Sequence, residues 1–316
     1  MPLVSVLLPV RDAAPWLASS LASLARQTVA DHEVIAVDDG STDGSGELLE
    51  RAARRDPRLR VRRTLARGLP AALNLALSLA RAPWVARHDA DDLSHRLRLE
   101  RQLRRVRDKP DVDVLGTRVR LFPARDSGVG MRRWVAWHNA LLDHESMRRE
   151  LLIDSPLAHG TALIRRAKLE SIGGWHERGW AEDLDLWLRL YDSGARFDKL
   201  DETLYGWRQH AASSTRTDER YSRARFLSLK LAALASGFLG SAPVTLIGVG
   251  RSLARWRQAM GDRVGKYLEL RHPPHDEPQI RPPVVLAYMA PAARARWRTY
   301  LNHLEMQELS DFIFVA

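Results

Sequence analysis

Residues 34–45 read VIAVDDGSTDGS, and the change of pattern along this stretch decides the fold. Val34, Ile35, Ala36 and Val37 make an unbroken apolar, largely β-branched run, the mark of a strand buried on both faces. The run stops at Asp38-Asp39-Gly40. Ser41, Thr42 and Asp43 then offer side-chain oxygens that cap a helix. The reading is a strand over 33–37 and a helix over 43–54. A buried strand passing straight into a helix is half of a βαβ unit, so its neighbours in the sheet should be parallel.

The same rhythm extends in both directions. Residues 4–9 form another buried strand, and Pro15 opens a helix to residue 28 with Trp16, Leu17, Leu21 and Leu24 at helical spacing. Downstream come a strand at 58–63, a helix at 69–81 and a strand at 83–87. The fold class is therefore α/β, a parallel sheet with helices on both faces. Ligands of such sheets sit beyond the carboxyl ends of the strands. Pro9, Val10 and Arg11, Asp38 and Asp39, and Asp89, Asp91 and Asp92 all fall at such ends.

From residue 113 to 211 the alternation is weaker, with strand-like pieces at 112–115 and 161–164 and a helix at 181–192. A helix over 216–239 reads as a connector, and the αβ rhythm then restarts. Strands at 244–247, 264–270, 284–288 and 312–315 alternate with helices at 251–260 and 291–309, and 273–283 is a Pro-rich loop. The expected organisation is a large domain over 1–215, a helical connector over 216–239 and a small Rossmann-like α/β domain over 240–316.

The chain has 316 residues, no cysteine, a net charge of +10 and a pI of about 10.4. Disulfides and thiolate metal sites are excluded, and an anionic partner is expected. Arg96, Arg98, Arg101, Arg104, Arg105, Arg107 and Lys109 form the densest basic cluster, read first as a solvated helix face and second as a patch for an anionic membrane surface. Aromatics are not interleaved with these charges, which argues against nucleic acid. Residues 231–250 are uncharged, but their glycines, Pro243 and hydroxyls make a poor spanning helix. The N-terminus lacks the basic region of a signal peptide. The expected address is cytoplasmic, with peripheral contact at the inner face of the cell membrane.

Three clusters carry chemistry. Asp38 and Asp39 end a strand, where a carboxylate can accept hydrogen bonds from a base or ribose; Asp43 reads as a cap. His88-Asp89-Ala90-Asp91-Asp92 crowds carboxylates whose repulsion calls for a cation, and hard oxygen ligands suit Mg²⁺ or Mn²⁺. Trp180-Ala181-Glu182-Asp183 opens a helix packed through Leu184, Trp187, Leu188 and Tyr191. Its acids either complement the helix dipole or supply a general base.

As an ordered set, VSVLLPVRDAAPWLASSLASLARQT (4–28), VIAVDDGSTDGS, RGLPAALNLAL (67–77), ARHDADD (86–92), SPLAHGTALIRR (155–166), IGGW (172–175), AEDLDLWLRL (181–190) and YGWRQHAASST (205–215) resemble the family 2 glycosyltransferases and their glycosyltransferase A fold. The resemblance covers residues 3–215. It implies an inverting, metal-dependent transfer of a sugar from a nucleotide-diphosphate donor, most commonly UDP-linked, to a hydroxyl of a glycan or lipid-linked acceptor. It further implies that Pro9, Val10, Arg11, Asp38 and Asp39 line the nucleotide, and that Arg67, Gly68 and Asn74 lie near the ribose and diphosphate. Asp89 and Asp91 become the DxD pair that holds Mn²⁺ or Mg²⁺. Asp183 becomes the base with Glu182 beside it, and His159, Arg208 and His210 line the diphosphate or the acceptor. Asp12 stands where the family often has Asn. His88 stands where it usually has an apolar residue, and reads as a satisfied strand-end histidine.

Two rival readings are a nucleotidyltransferase and a non-catalytic scaffold at the membrane surface. PVRDAAPW lacks the glycines that the first needs, and the intact acids argue against the second. In the C-terminal domain, VTLIGVGRSLA (244–254) is similar to the start of a dinucleotide-binding unit, with Glu269 near the ribose-reading position. Leu253 replaces the third glycine, so a remnant with a packing or partner role is expected.

Overall fold

Strand β1 (Val4–Val10) is buried along its whole length, as is β2 (His32–Asp39) beside it. Helix α1 (Ala14–Ala25) joins them, and α2 (Ser45–Ala53), β3 (Leu59–Thr64), α3 (Leu69–Ser78) and β4 (Trp84–Arg87) follow. Proline in the first turn of α1 and of α3 pre-sets a helical φ. Alternate residues Val4, Val6 and Leu8 pack with Leu17 and Leu24 of α1 and Leu49 of α2. The intervening Leu7, Ile35 and Val37 are equally buried, because both faces of the sheet are covered.

The computed structural model describes residues 1–123, 128–274 and 280–316. Next along the chain are β5 (Leu93–Ser94), α4 (Arg98–Asp108), β6 (Val114–Phe122), α5 (Val129–Ala140), α6 (His144–Glu150), β7 (Leu163–Arg165), α7 (Arg166–Ser171), α8 (Glu182–Asp192), β8 (Phe197–Arg208) and α9 (Ser214–Thr217). The sheet order is β3-β2-β1-β4-β7-β6-β8-β5. The part read from sequence, β3-β2-β1-β4, is parallel throughout. Beyond β4 the sheet is mixed, since β7 runs antiparallel to both β4 and β6.

Two units divide the chain. The first takes Met1–Met147, Pro156–Arg178 and Asp185–Thr217; the second takes Arg148–Ser155, Gly179–Leu184 and Asp218–Ala316. The second unit contains α10 (Arg223–Ser236), β9 (Val244–Gly248), α11 (Gly250–Met260), β10 (Val264–Glu269), β11 (Val284–Ala287), α12 (Pro291–His303) and β12 (Phe312–Val315). Its four parallel strands lie in the order β10-β9-β11-β12.

Several elements differ from the sequence reading. The connector is not one helix: Asp218 caps a 3-10 turn at Glu219–Tyr221, and Ser222 then caps α10 separately. α12 stops at His303, where Glu305 and later Leu309 adopt left-handed φ. β6 reaches Phe122, with register shifts at Arg118 that hide its length from a period-two pattern. Residues 275–279 of the Pro-rich loop lie outside the described residues. Residues 231–250 divide between α10 and β9, and among the described residues no helix is long and apolar enough to cross a membrane. In the basic cluster, Arg98 is fully buried, whereas Arg105 and Lys109 pair with Asp198 and Arg101 pairs with Glu202.

Candidate active site

The loops after β1 and β2 are stitched to each other. Asp12, at φ 46°, accepts from the Thr42 backbone at 2.8 Å, and its own N–H donates to Ser41 Oγ. Asp43 accepts from the N–H groups of Ala14 and Ser45, so one carboxylate caps the starts of both α1 and α2. This fixes Pro9, Val10 and Arg11 at the mouth of the sheet.

Because strand side chains alternate, Asp38 and Asp39 point to opposite faces. Asp38 is buried against Gly46, accepts from the Ser41 N–H at 3.0 Å and faces Arg63 at 3.3 Å. Asp39 turns to the 64–68 loop, where its two oxygens accept from the N–H groups of Arg67 at 2.7 Å and Gly68 at 2.9 Å. Arg11, largely exposed, reaches to within 3.8 Å of the same carboxylate. A side chain at Gly40 would run into Ala66, which is why the turn below Asp39 is glycine.

The acidic turn follows β4. Asp89 pairs with buried Arg87 at 2.7 Å, and its N–H donates to the Tyr205 hydroxyl. Asp91 Oδ2 lies 2.8 Å from His210 Nε2, and the His210 ring stacks on Trp16 at 3.8 Å. Burial raises the Asp91 carboxyl above the ordinary carboxylate range and Asp89 adds to the rise, with His210 opposing them. Asp92 is buried and raised further by the same burial and by both neighbouring acids. Arg208 organises this turn: its backbone N–H donates to Asp92 at 2.7 Å, its Nε to the Asp91 carbonyl, and its guanidinium lies over Phe122. His88 points into the core, where Nε2 meets Ser20 at 2.9 Å and burial lowers its pKa strongly, but Nδ1 finds no hydrogen-bond partner among the described residues, so the ring is only half satisfied.

His159 and Gly160 open the 3-10 turn before β7. His159 Nε2 accepts from the Trp175 indole at 2.9 Å, and Asn74 grips the Trp175 backbone through both its amide nitrogen and its oxygen. Gly160 is close enough to Asp89 and Tyr205 that no side chain fits there. Among the described residues no three acidic or imidazole groups converge as a ready-made metal cage. Asp91 offers a carboxylate oxygen, the donor type that suits Mg²⁺ or Mn²⁺ completed by waters and substrate phosphates, with His210 hydrogen-bonded beside it.

Glu182 and Asp183 belong to the second unit. Glu182 is buried and accepts from the Tyr221 hydroxyl at 2.8 Å, with Arg220 at 3.9 Å. Asp183 keeps some exposure, yet burial first, then Glu182 and Asp154, push its carboxyl up to about 7 against hydrogen bonds from Leu184 and Ser155.

Sequence reasoning missed four residues of the first unit. Arg87 and Tyr205 hold Asp89. Fully buried Arg98 donates to the carbonyls of Arg87 and Gly160, tying β4 to the 3-10 turn. Lys199, buried and pushed down to about 7 by that burial, donates to the Pro156 carbonyl just before that turn. Only Arg87, at the end of the apolar run 84–86, gave a signal in the sequence; Arg98 and Lys199 stand among other charged residues.

A doubly wound sheet whose strand ends gather an acid pair, a DxD turn and an arginine is the architecture of nucleotide-sugar transferases of the glycosyltransferase A fold. Residues 5–173 match the family described as Glycosyl transferase family 2, and the chain belongs to that family. It is 30% identical over 226 residues to the putative glycosyltransferase EpsE of Bacillus subtilis, covering 70% of this chain and 78% of that protein. It is 26% identical over 244 residues to an Escherichia coli UDP-Gal:alpha-D-GlcNAc-diphosphoundecaprenol beta-1,3-galactosyltransferase, covering 72% and 86%. The fold matches S. aureus TarS 1-349 in complex with UDP-GlcNAc, with a TM-score of 0.57, 20% identity, and 74% and 66% coverage. It also matches the mannosyltransferase PcManGT of Pyrobaculum calidifontis in complex with GDP-Man and Mn2+, at 0.54 and 21%, with 74% of each chain covered.

Proposed function

We propose that this glycosyltransferase takes its sugar from a UDP-linked donor, needs Mn²⁺ or Mg²⁺, and inverts the anomeric centre while building a lipid-linked or cell-surface glycan. The observation that carries the reading is the crowded turn Asp89-Ala90-Asp91-Asp92. Burying these acids together raises Asp91 and Asp92, a cost that a divalent cation relieves. Asp91, with His210 beside it and Asp89 next in the turn, would hold the ion. Bound there, the ion would supply electrostatic stabilisation of charge developing on the leaving diphosphate.

The residues of the chain divide the remaining work. Asp39 fixes the 64–68 loop on which Arg67 and Gly68 sit, beside the expected nucleotide site of Pro9, Val10, Arg11 and Asp38. Arg208 holds the carbonyl of Asp91 and carries positive charge next to the DxD turn. Asp183 takes the proton from the acceptor hydroxyl; a carboxyl raised to about 7 suits a base working near neutrality. Inversion follows from a single displacement, which needs no covalent intermediate. The uridine nucleotide named in the TarS complex and in the E. coli relative supports a UDP donor, and the diphosphoundecaprenol in that relative's name supports a lipid-linked acceptor. The net charge of +10 favours peripheral contact with an anionic membrane surface.

Transfer from α-linked UDP-sugars, with the product's anomeric configuration read by NMR and the metal removed by chelation, tests the reading. A β-linked product that requires Mn²⁺ or Mg²⁺ is expected. An α-linked product, or full activity in chelator, would contradict it.

A further inference from the structure

The second unit joins α10 and the four-stranded sheet to two short stretches, Arg148–Ser155 and Gly179–Leu184, the latter carrying Asp183. A ligand at the sheet's own dinucleotide-like loop is disfavoured. Glu269 accepts from the Gly250 N–H at 2.9 Å, so a carboxylate already fills the helix start where a phosphate would bind. The Tyr288 hydroxyl donates to the carbonyl of Leu270, the residue after β10. The buried charges of α12 and α10 are directed elsewhere, onto the 148–155 stretch.

Glu150 is buried between two arginines of α12. Arg294, almost wholly buried, reaches it through Nε and Nη2, and Arg298 Nη2 donates to it at 2.8 Å. Arg298 is itself held by Glu308, whose carboxylate also lies 3.6 Å from Arg149. The Glu150 carbonyl accepts from the N–H groups of Ile153 and Asp154, turning the chain toward Ser155. Buried Lys230 of α10 donates to the carbonyls of Ile153 and Ala316, tying that turn to the end of β12. The stretch ends at Asp154 and Ser155, which face Asp183.

We propose that the small C-terminal sheet is a brace for the catalytic base: Arg294 and Arg298 are positioning residues that hold the 150–155 turn, and through it Asp154 and Ser155, against Asp183. The role of the brace in catalysis rests on reading Asp183 as the base. The groups around Asp183 are Glu182 on its own helix, Asp154 and Ser155 from the turn, and Tyr221 from the 219–221 segment, with Arg220 and Lys230 reaching it through Glu182 and Asp154. Loosening the turn admits water to Asp183 and removes Asp154, and both changes move the carboxyl back toward its ordinary range.

The test needs no substrate. The melting-temperature difference between full-length wild type and Asp183→Asn, followed across pH, reports where Asp183 titrates. The same pair is then measured on an Arg294→Met background and on an Arg294→Lys background. The expected result is that Arg294→Met moves the pH at which the difference levels off about one unit or more toward acid, and that Arg294→Lys leaves it near the wild-type position. A levelling-off pH unchanged in folded Arg294→Met overturns the proposal. If Arg294→Met does not fold, Arg298→Gln, which leaves Arg294 on Glu150, is read the same way with the same two outcomes. Activity of Asp183→Asn is assayed in parallel: full activity would remove the base reading while leaving the titration result intact.

Discussion

His210 Nε2 and Asp91 Oδ2 stand 2.8 Å apart, with the imidazole stacked on Trp16 at 3.8 Å, so the side chain after β8 is locked onto the acid after β4. A stacked imidazole cannot swing away, and Asp91 is presented in one orientation. His210→Ala should therefore weaken Mn²⁺-dependent nucleotide binding by about 10–100-fold, the usual effect of removing a group that ligates or orients at a metal site. Calorimetry on the variant checks this. Affinity within twofold of wild type would show that His210 only packs.

The raised carboxyl of Asp183 gives two pH effects of opposite sense. As a base it must be ionised, so the transfer rate should climb as pH rises through about 7, and Asp183→Asn should lose about 10²–10⁴-fold at the plateau. For stability, a folded value above the ordinary aspartate value of 3.8 means the folded protein binds the proton more tightly than the unfolded chain does. Stability is then highest in acid and is lost as pH rises from the unfolded value to the folded one. Asp183→Asn should melt roughly 1–3 °C higher than wild type at pH 8, discounted for the partial exposure of the group, with the gap closing in acid. Thermal melts across pH read this directly.

Gly160 touches the site through what it lacks. A methyl group there would lie 2.7 Å from Asp89 Oδ2 and closer still to the Tyr205 hydroxyl, both held by buried arginines or backbone. Gly160→Ala should cost about 1–3 kcal/mol of stability from overpacking and displace Asp89. Urea unfolding measures the first effect, and metal-dependent nucleotide binding the second.

Arg208 bonds the Asp91 carbonyl through Nε, lies over Phe122 and reaches Ser19 through Nη2. Lysine keeps the charge but not the fork or the stacking. Arg208→Lys is expected to lower kcat/KM by about tenfold or more while the melting temperature stays within about 3 °C. Loss of stability in proportion to activity would mark Arg208 as a packing residue.

The parallel half of the first sheet was legible because strands buried on both faces announce themselves as apolar runs, and the acids that close them stand beside those runs in sequence. The rest was hidden by buried charge. β8 carries Asp198, Lys199, Asp201 and Glu202 within a strand whose first four residues are buried, and β6 carries Arg118 and Arg120 at a bulge. A hydropathy pattern counts such residues as loop. Arg98 shows the same effect within the site, because spacing placed it on a solvated helix face and the fold places it under Gly160. Nor could spacing reveal that residues 148–155 and 179–184 cluster with the C-terminal sheet, since that depends on ion pairs such as Glu150 with Arg294, 144 positions apart.

Calorimetric titration of UDP, GDP, CDP and TDP, each with and without Mn²⁺, on wild type and on Asp91→Ala, decides whether the donor site is built around Asp91. UDP should bind tightest, its binding should require Mn²⁺, and Asp91→Ala should abolish it. Metal-independent binding, or equal binding by wild type and Asp91→Ala, would contradict the assignment.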